Sequence, residues 1–127
     1  MSAISESSFQ EKVIAYAQLR RWRVHHTRAS RIVRQDGTAY HATPLTGNAG
    51  FPDLILARST RVVIVELKTD SGRLSLAQDG WLRALGGNRD DWNGRELRKA
   101  PPHQRWDHLY VGVWRPSNWD HIEEVLR

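Results

Sequence analysis

The segment from Val62 to Lys68 (Val-Val-Ile-Val-Glu-Leu-Lys) constrains the fold of this chain more than any other. Its first four residues are branched and apolar, so a strand formed here is apolar on both faces. Such a strand is typical of the centre of a sheet that is covered on each side. Glu66 and Lys68 are the polar residues of the segment, and charged groups at the end of a core strand need a specific reason to be there.

The rest of the chain contains helices and strands that can surround this strand. Apolar spacing, caps and glycines predict helices over residues 5–21, 75–85 and 117–126, the last opened by a capping-box pattern from Ser117 to Asp120. Strands are predicted over residues 23–27, 53–57, 62–68 and 108–114. The order α-β-β-β-α-β-α predicts one domain over residues 1–127, an α/β sandwich in which helices flank a mixed β-sheet.

Two polar stretches interrupt these elements. Residues 28–50 lack periodicity and are predicted as a long loop, with a hairpin as the alternative. Residues 87–107 are charged, contain Pro101-Pro102 and are predicted as an inserted loop. Loops of this length are uncommon in a small domain unless they have a function.

The composition excludes several classes of protein. The chain has no Cys, which excludes disulfide scaffolds, thiol catalysis and Cys-based zinc sites. It has no apolar run of about 18 residues, and its first residues lack the basic and apolar regions of a signal peptide. The sequence therefore predicts a cytoplasmic protein without a membrane span.

The positive charge is concentrated in one segment. The chain has 19 Lys and Arg against 14 Asp and Glu. Six arginines and no acid lie between residues 20 and 34: Arg20, Arg21, Arg23, Arg28, Arg31 and Arg34. Because the arginine fork pairs well with phosphate oxygens, this segment and the neighbouring His26 form a candidate nucleic-acid interface. The alternative is a solvated basic face without a partner.

Two acids are predicted to meet at the end of the central strand. If residues 58–61 form a tight hairpin whose ends lie opposite each other, the same register pairs Asp53 with Glu66. Opposed Cβ atoms are about 4.5–5.5 Å apart, so two carboxylates there repel each other unless something neutralises them. Mg²⁺ suits such a pair, and Lys68 lies on the same strand face. The three residues predict a centre for phosphodiester hydrolysis, with a buried salt bridge without metal as the alternative.

Two further side chains are candidates for this centre. Glu6 lies on the apolar stripe of the first helix and points inward, although a glutamate favoured by the helix dipole is the alternative. Gln78 lies on the inner face of its helix. Its alternative role is a capping box, in which it reaches back to the amide of Ser75.

The arrangement Pro52-Asp53, twelve intervening residues and then Glu66-Leu67-Lys68 resembles the core motif of the PD-(D/E)xK nuclease superfamily. The wider pattern covers residues 50–56, 65–69, 72–78, 81–82 and 113–117, with Glu6, Phe9-Gln10 and residues 22–27 near the start. In these segments the chain resembles the stand-alone VRR-Nuc (virus-type replication–repair nuclease) proteins, which are often encoded by phages or prophages. The resemblance covers about residues 4–27, 48–86 and 108–126.

The resemblance implies a restriction-endonuclease-like fold and a DNA endonuclease that depends on Mg²⁺ or Mn²⁺. By position, Asp53, Glu66 and the carbonyl of Leu67 would bind the metal. Lys68 would act on the attacking water, and Glu6 and Gln78 would complete the site. Small stand-alone members resemble Holliday-junction resolvases, which implies a homodimer that cuts branched DNA during phage replication, recombination or repair in the cytoplasm of a bacterial host.

Residues 28–47 and 87–107 depart from the family pattern, and both stretches bear on dimer geometry and substrate choice. Two other functions therefore stay open. One is a non-catalytic DNA-binding module that uses the arginine-rich segment. The other is a nicking or restriction-type endonuclease that acts on ordinary duplex.

Overall fold

Helices and strands follow an order close to the predicted one. A computed structural model of the protein describes residues 4–26, 30–42, 47–86 and 109–127. The helices are α1 (Glu6–Leu19), α2 (Leu76–Ala84) and α3 (Trp119–Leu126). The strands are β1 (Arg23–His26), β2 (Ser30–Val33), β3 (Ala39–Ala42), β4 (Leu54–Arg58), β5 (Arg61–Leu67) and β6 (Leu109–Trp114). The predicted inserted loop at residues 87–107 lies outside the described residues.

The strand β5 is central in a four-stranded sheet, as its apolar sequence predicts. The strand order is β1-β4-β5-β6. β4 is antiparallel to both β1 and β5, whereas β6 is parallel to β5. The described chain is thus an α/β fold with a mixed sheet and three helices, which confirms the coarse fold class.

A two-residue turn fixes the register of β4 and β5. Ser59 and Thr60 have φ angles of 48° and 69°, as in the type I′ turns that suit antiparallel strands. Arg58 lies opposite Arg61, and the pairing continues to the other end of both strands, so the predicted register is confirmed. Asp53 immediately precedes Leu54, the first residue of β4, and Glu66 immediately follows Val65, the partner of Leu54 on β5. We call this the carboxylate end of the sheet, and the opposite end the turn end.

The helices cover both faces of the sheet. The larger core lies between one face and the helices α1 and α3, and α2 packs on the other face through Leu82, which contacts Val113. The fully buried members of the larger core include Phe9, Val13, Leu54, Leu56, Val65, Trp114, Ile122 and Leu126. Because strand side chains alternate between faces, Glu66 lies on the α2 side between the buried Val65 and Leu67.

The prediction of a long loop over residues 28–50 is wrong in part, because its alternative, a hairpin, is present. β2 and β3 pair antiparallel as a separate two-stranded sheet. The Asp36 carboxylate accepts a hydrogen bond from the amide of Thr38 at 2.9 Å, and Gly37 has a φ of 88°. An Asp-Gly pair of this kind favours a reversal of the chain even where the flanking strands lack clear alternation.

The predicted capping box at the start of the last helix is also wrong. Residues Pro116–Asn118 form one 3-10 turn, and α3 then begins at Trp119 without a side-chain cap. The amide of Ser117 donates to the Asp70 carboxylate at 2.9 Å, and the Asn118 side chain accepts from the amide of Arg115. These two contacts compete with the local cap. No helix within the described ranges has the length and apolar character to cross a membrane.

Candidate functional site

Asp53 and Glu66 occupy adjacent strands at the carboxylate end. One Asp53 oxygen accepts a hydrogen bond from the amide of Leu67 at 2.8 Å, so the aspartate is fixed to the strand that carries the glutamate. Glu66 is 1% exposed, which makes it one of the few buried charged residues of the described chain. The cross-strand pairing thus brings together two acids that the sequence separates.

The two oxygens of Glu66 have different surroundings. Oε1 accepts a hydrogen bond from the side-chain amide of Gln78 at 2.9 Å, and the Lys68 ammonium lies 3.9 Å from the same oxygen. Oε2 is buried and has no hydrogen-bond partner among the described residues. When Glu66 is ionised, this oxygen is buried without a donor, which is rare and costs about 1–3 kcal/mol.

Burial raises the pKa of Glu66 to about 9, and the charge of Asp53 contributes to the rise. A proton on Glu66 hydrogen-bonds to Asp53, which also favours the protonated form. The nearby ammonium of Lys68 acts in the opposite direction but does not compensate. Without a cation, this site therefore holds a proton at neutral pH.

Gln78 forms the predicted capping box and also contacts Glu66. Its amide oxygen accepts from the amide of Ser75 at 2.9 Å, while its own backbone amide donates to the Ser75 hydroxyl at 3.1 Å. These two bonds form the capping box at the start of α2. The side-chain nitrogen remains available and donates to Glu66. The cap therefore holds the amide in the orientation that contacts the acid.

Gly50 allows the segment before β4 to pack against α2. Its φ is 95°, and a Cβ at this position would lie 2.4 Å from the backbone carbon of Ala77. Nearby, the rings of Phe51 and Trp81 meet edge to face at 5.0 Å, and the Trp81 indole donates to the carbonyl of Asn48 at 3.1 Å. This packing fixes the segment that leads to Asp53 against the helix that carries Gln78.

Arg115 holds the connection between β5 and α2. Its buried guanidinium donates to the carbonyl oxygens of Thr69 and Gly72 at 2.6 and 2.7 Å. The connection begins at Lys68 and ends at the cap of α2. Arg115 therefore acts on the geometry of the site from a distance, and the sequence motifs do not identify it.

We expect Arg115→Met to lower the free energy of unfolding by about 1–3 kcal/mol, because the half-buried Gly72 carbonyl loses its guanidinium donor and the Thr69 carbonyl keeps only the Gly72 amide. Arg73→Met, in the same connection but exposed, should change it by less than about 0.5 kcal/mol. Urea unfolding of both variants measures the difference. Equal stabilities would show that the Arg115 contacts do not hold this connection.

The prediction that Glu6 points inward is wrong: the side chain is exposed, and its place in the first turn of α1 fits the helix-dipole alternative. The charge of Glu6 adds slightly to the rise in the Glu66 pKa. In the described parts of the chain, no group of three or more His, Asp or Glu side chains is arranged to hold a metal.

Most of the predicted DNA-contacting residues lie away from these acids. Arg58 donates to the carbonyl of Arg20 at 2.8 Å, so the end of α1 lies at the turn end. At about 3.3 Å per residue, Arg20 and Arg21 are roughly 15 Å from the carboxylates along the sheet. Arg23, on β1, lies opposite Ala57 of β4.

The remaining members of the basic segment are Arg28, Arg31, Arg34 and the neighbouring His26. Arg28 lies outside the described residues, Arg31 belongs to β2, and Arg34 is exposed beyond that strand. The Nε2 atom of the His26 ring lies 2.6 Å from the side-chain amide nitrogen of Gln10 in α1. That contact is on the sheet face opposite to the carboxylates, so His25, which the sequence interpretation did not select, is the histidine on the carboxylate face.

Comparisons with known proteins give no relative. No protein-family model, curated protein or solved structure matches this chain. The functional argument therefore depends on the side chains described above.

Proposed function

We propose that this protein is a DNA endonuclease that depends on a divalent metal ion. The observation that carries the proposal is the buried Glu66 Oε2, which no donor group of the described residues reaches, beside Asp53 at the start of the adjacent strand. A purely structural salt bridge would satisfy this acid. Lys68 instead lies 3.9 Å away and approaches only the other oxygen, a separation too long for a tight charged hydrogen bond.

The donor set fits a hard cation. Asp53 and Glu66 provide carboxylate oxygens, and the family resemblance adds the carbonyl of Leu67. Mg²⁺ and Mn²⁺ prefer oxygen ligands, and Mg²⁺ usually takes one or two carboxylates together with waters and a substrate phosphate. Two acids and an open side therefore suit an ion that works on a phosphodiester.

The residues of the chain have separable roles in this proposal. The divalent cation supplies Lewis acidity toward the scissile phosphate. Asp53 is oriented by the Leu67 amide, and Glu66 by Gln78. Lys68 provides a positive charge that orients the attacking water or stabilises negative charge on the phosphate.

The proposal includes the finer fold and the substrate. A mixed sheet with helices on both faces, and acids at the end of its two middle strands, supports the restriction-endonuclease-like sandwich of the PD-(D/E)xK superfamily and the VRR-Nuc resemblance. By that resemblance we propose a homodimer that cuts branched DNA such as Holliday junctions, in the phage-related setting of the family.

The test is cleavage of a DNA panel that contains single strand, duplex, flap, splayed arm and four-way junction. We expect Mg²⁺- or Mn²⁺-dependent cutting that falls at least about 100-fold in Asp53→Asn and Lys68→Met. Glu11→Gln, an exposed change on α1, is the matched control and should retain activity. Cutting in excess chelator, or undiminished cutting by Asp53→Asn, would contradict the proposal.

A further inference from the structure

The sheet face that carries the carboxylates continues to the edge strand β1. Asp53, Ile55 and Ala57 alternate along one chain segment and so point to the same side. His25 lies opposite Ile55, and Arg23 lies opposite Ala57. Because opposed residues of antiparallel strands share a face, both basic residues are on the carboxylate side.

Both basic side chains are exposed and available. Within the described ranges, neither the Arg23 nor the His25 side chain has a hydrogen bond, an ion pair or a ring contact. Arg58 and Arg61 differ, because they lie near the Trp22 ring on the opposite face of the sheet. The edge strand therefore places one arginine charge and one exposed histidine on the side where the acids are.

Among the described residues of β4 and β5, the surface between the acids and these two side chains is uncharged. Ile55, Ala57, Val62 and Ile64 are all half-buried and form its floor. A negatively charged backbone that crosses this floor meets no acidic side chain of β4 or β5 after Asp53 and Glu66. The charge pattern therefore favours a single polyanionic strand over a partner with mixed charges.

The spacing gives the course of such a strand. His25 and Arg23 are about 7 and 13 Å further along the sheet than Asp53, at roughly 3.3 Å per residue. One strand of B-form DNA advances about 3.4 Å per nucleotide. His25 therefore lies about two nucleotides, and Arg23 about four nucleotides, from the position of the acids.

We propose that the carboxylate-side face of β1 binds backbone phosphates of the cleaved DNA strand, with His25 and Arg23 as the contacts. This inference rests on the proposed endonuclease function and adds the path of the DNA across the protein. It gives Arg23 a role that Arg20 and Arg21, which lie at the turn end, do not share.

The test compares Arg23→Ala and His25→Ala with Arg61→Ala. Arg61→Ala removes the same charge as Arg23→Ala, near the same level of the sheet but on the other face. DNA affinity is measured with Ca²⁺ in place of Mg²⁺ at several salt concentrations. We expect Arg23→Ala to weaken binding about tenfold and to reduce the salt slope by about one, with a smaller effect for His25→Ala and little effect for Arg61→Ala.

A second measurement locates the contact. After the cut position is mapped, the DNA is shortened to two nucleotides beyond it, first on one side and then on the other. The Arg23→Ala penalty should disappear for one of the two shortened DNAs and persist for the other. Equal losses for Arg23→Ala and Arg61→Ala, no loss for either, or a penalty that survives both truncations would overturn the inference.

The two proposals fail in different ways. If the wild-type protein cuts no DNA with Mg²⁺ or Mn²⁺ but Arg23→Ala still selectively weakens binding, the endonuclease function is wrong and the DNA-binding face remains, without its link to a cleaved strand. If the wild type cuts DNA and Arg23→Ala binds and cuts normally, the endonuclease stands and the proposed strand path is wrong. Thermal unfolding of all three variants checks that these exposed changes leave the fold intact.

Discussion

Replacing Glu66 with glutamine is expected to weaken divalent-metal binding by more than about 100-fold and to stabilise the metal-free protein at pH 8. The folded-state pKa of Glu66 is raised from 4.5 to about 9. The stability that goes with this shift is fully present below pH 4.5 and is lost as the pH rises toward 9. A glutamine side chain resembles the protonated acid and keeps that stability.

The size of the effect follows from proton linkage. Between pH 5 and 8 the wild type should lose at most about 4 kcal/mol through this one group, since each pH unit corresponds to about 1.4 kcal/mol. Thermal unfolding of the wild type and Glu66→Gln across this range isolates the contribution, because all other titrating groups are common to both. Parallel curves would show that the Glu66 pKa is not raised.

Metal binding can be measured with the same thermal unfolding of the wild type and Glu66→Gln. Mg²⁺ or Mn²⁺ should raise the unfolding temperature of the wild type most strongly at high pH, because a cation held by Asp53 and Glu66 would compete with the proton on Glu66. Glu66→Gln should lack this response, and Glu11→Gln should keep it. A metal response retained by Glu66→Gln would show that the cation binds elsewhere.

Gly50→Ala and Gly80→Ala are expected to change stability in opposite directions. At Gly50, a Cβ would lie 2.4 Å from the Ala77 backbone, and the φ of 95° is unfavourable for alanine. We expect a loss of about 3 kcal/mol or more from overpacking and backbone strain together. At Gly80, inside α2, a Cβ would meet nothing within 4 Å, so alanine should stabilise the helix by about 0.5–1 kcal/mol.

Gly86→Ala separates the two causes of the loss at Gly50. Gly86 has a φ of 105° but open space around a new Cβ. Its substitution should therefore cost only the conformational strain, about 1 kcal/mol. Urea unfolding of the three alanine variants measures this series, and a Gly50→Ala loss no larger than that of Gly86→Ala would show that the close approach to α2 is unimportant.

The pairing of Asp53 with Glu66 could be predicted because it depends on local sequence. Two apolar strands and a four-residue connection leave one register that keeps both apolar faces buried. The same register extended to β1 would have selected His25 instead of His26. Sequence alone does not extend this register to β1, because β1 and β4 are far apart in the sequence and no turn links their alignment.

The supporting contacts of the site could not be read from the sequence. Arg115 bonds to carbonyls more than 40 residues earlier, at Thr69 and Gly72, and such contacts exist only after β6 has joined the sheet. Gly50 is one of nine glycines, and its special role depends on the approach of α2. The β2–β3 hairpin, by contrast, could be predicted from the sequence, because Asp36-Gly37 is a pair that favours a hairpin turn.

The strand order also has a consequence for how the chain folds. β4 and β5 are joined by a two-residue turn, whereas β6 pairs with β5 only after α2 and residues 87–108 have been passed. Local hairpins form quickly, and parallel pairs that close a long loop form slowly. Asp53 and Glu66 therefore approach each other before α2 and β6 are in position. Their repulsion opposes the earliest contact of the fold, so refolding is expected to be faster in mild acid, where a proton is available for this pair.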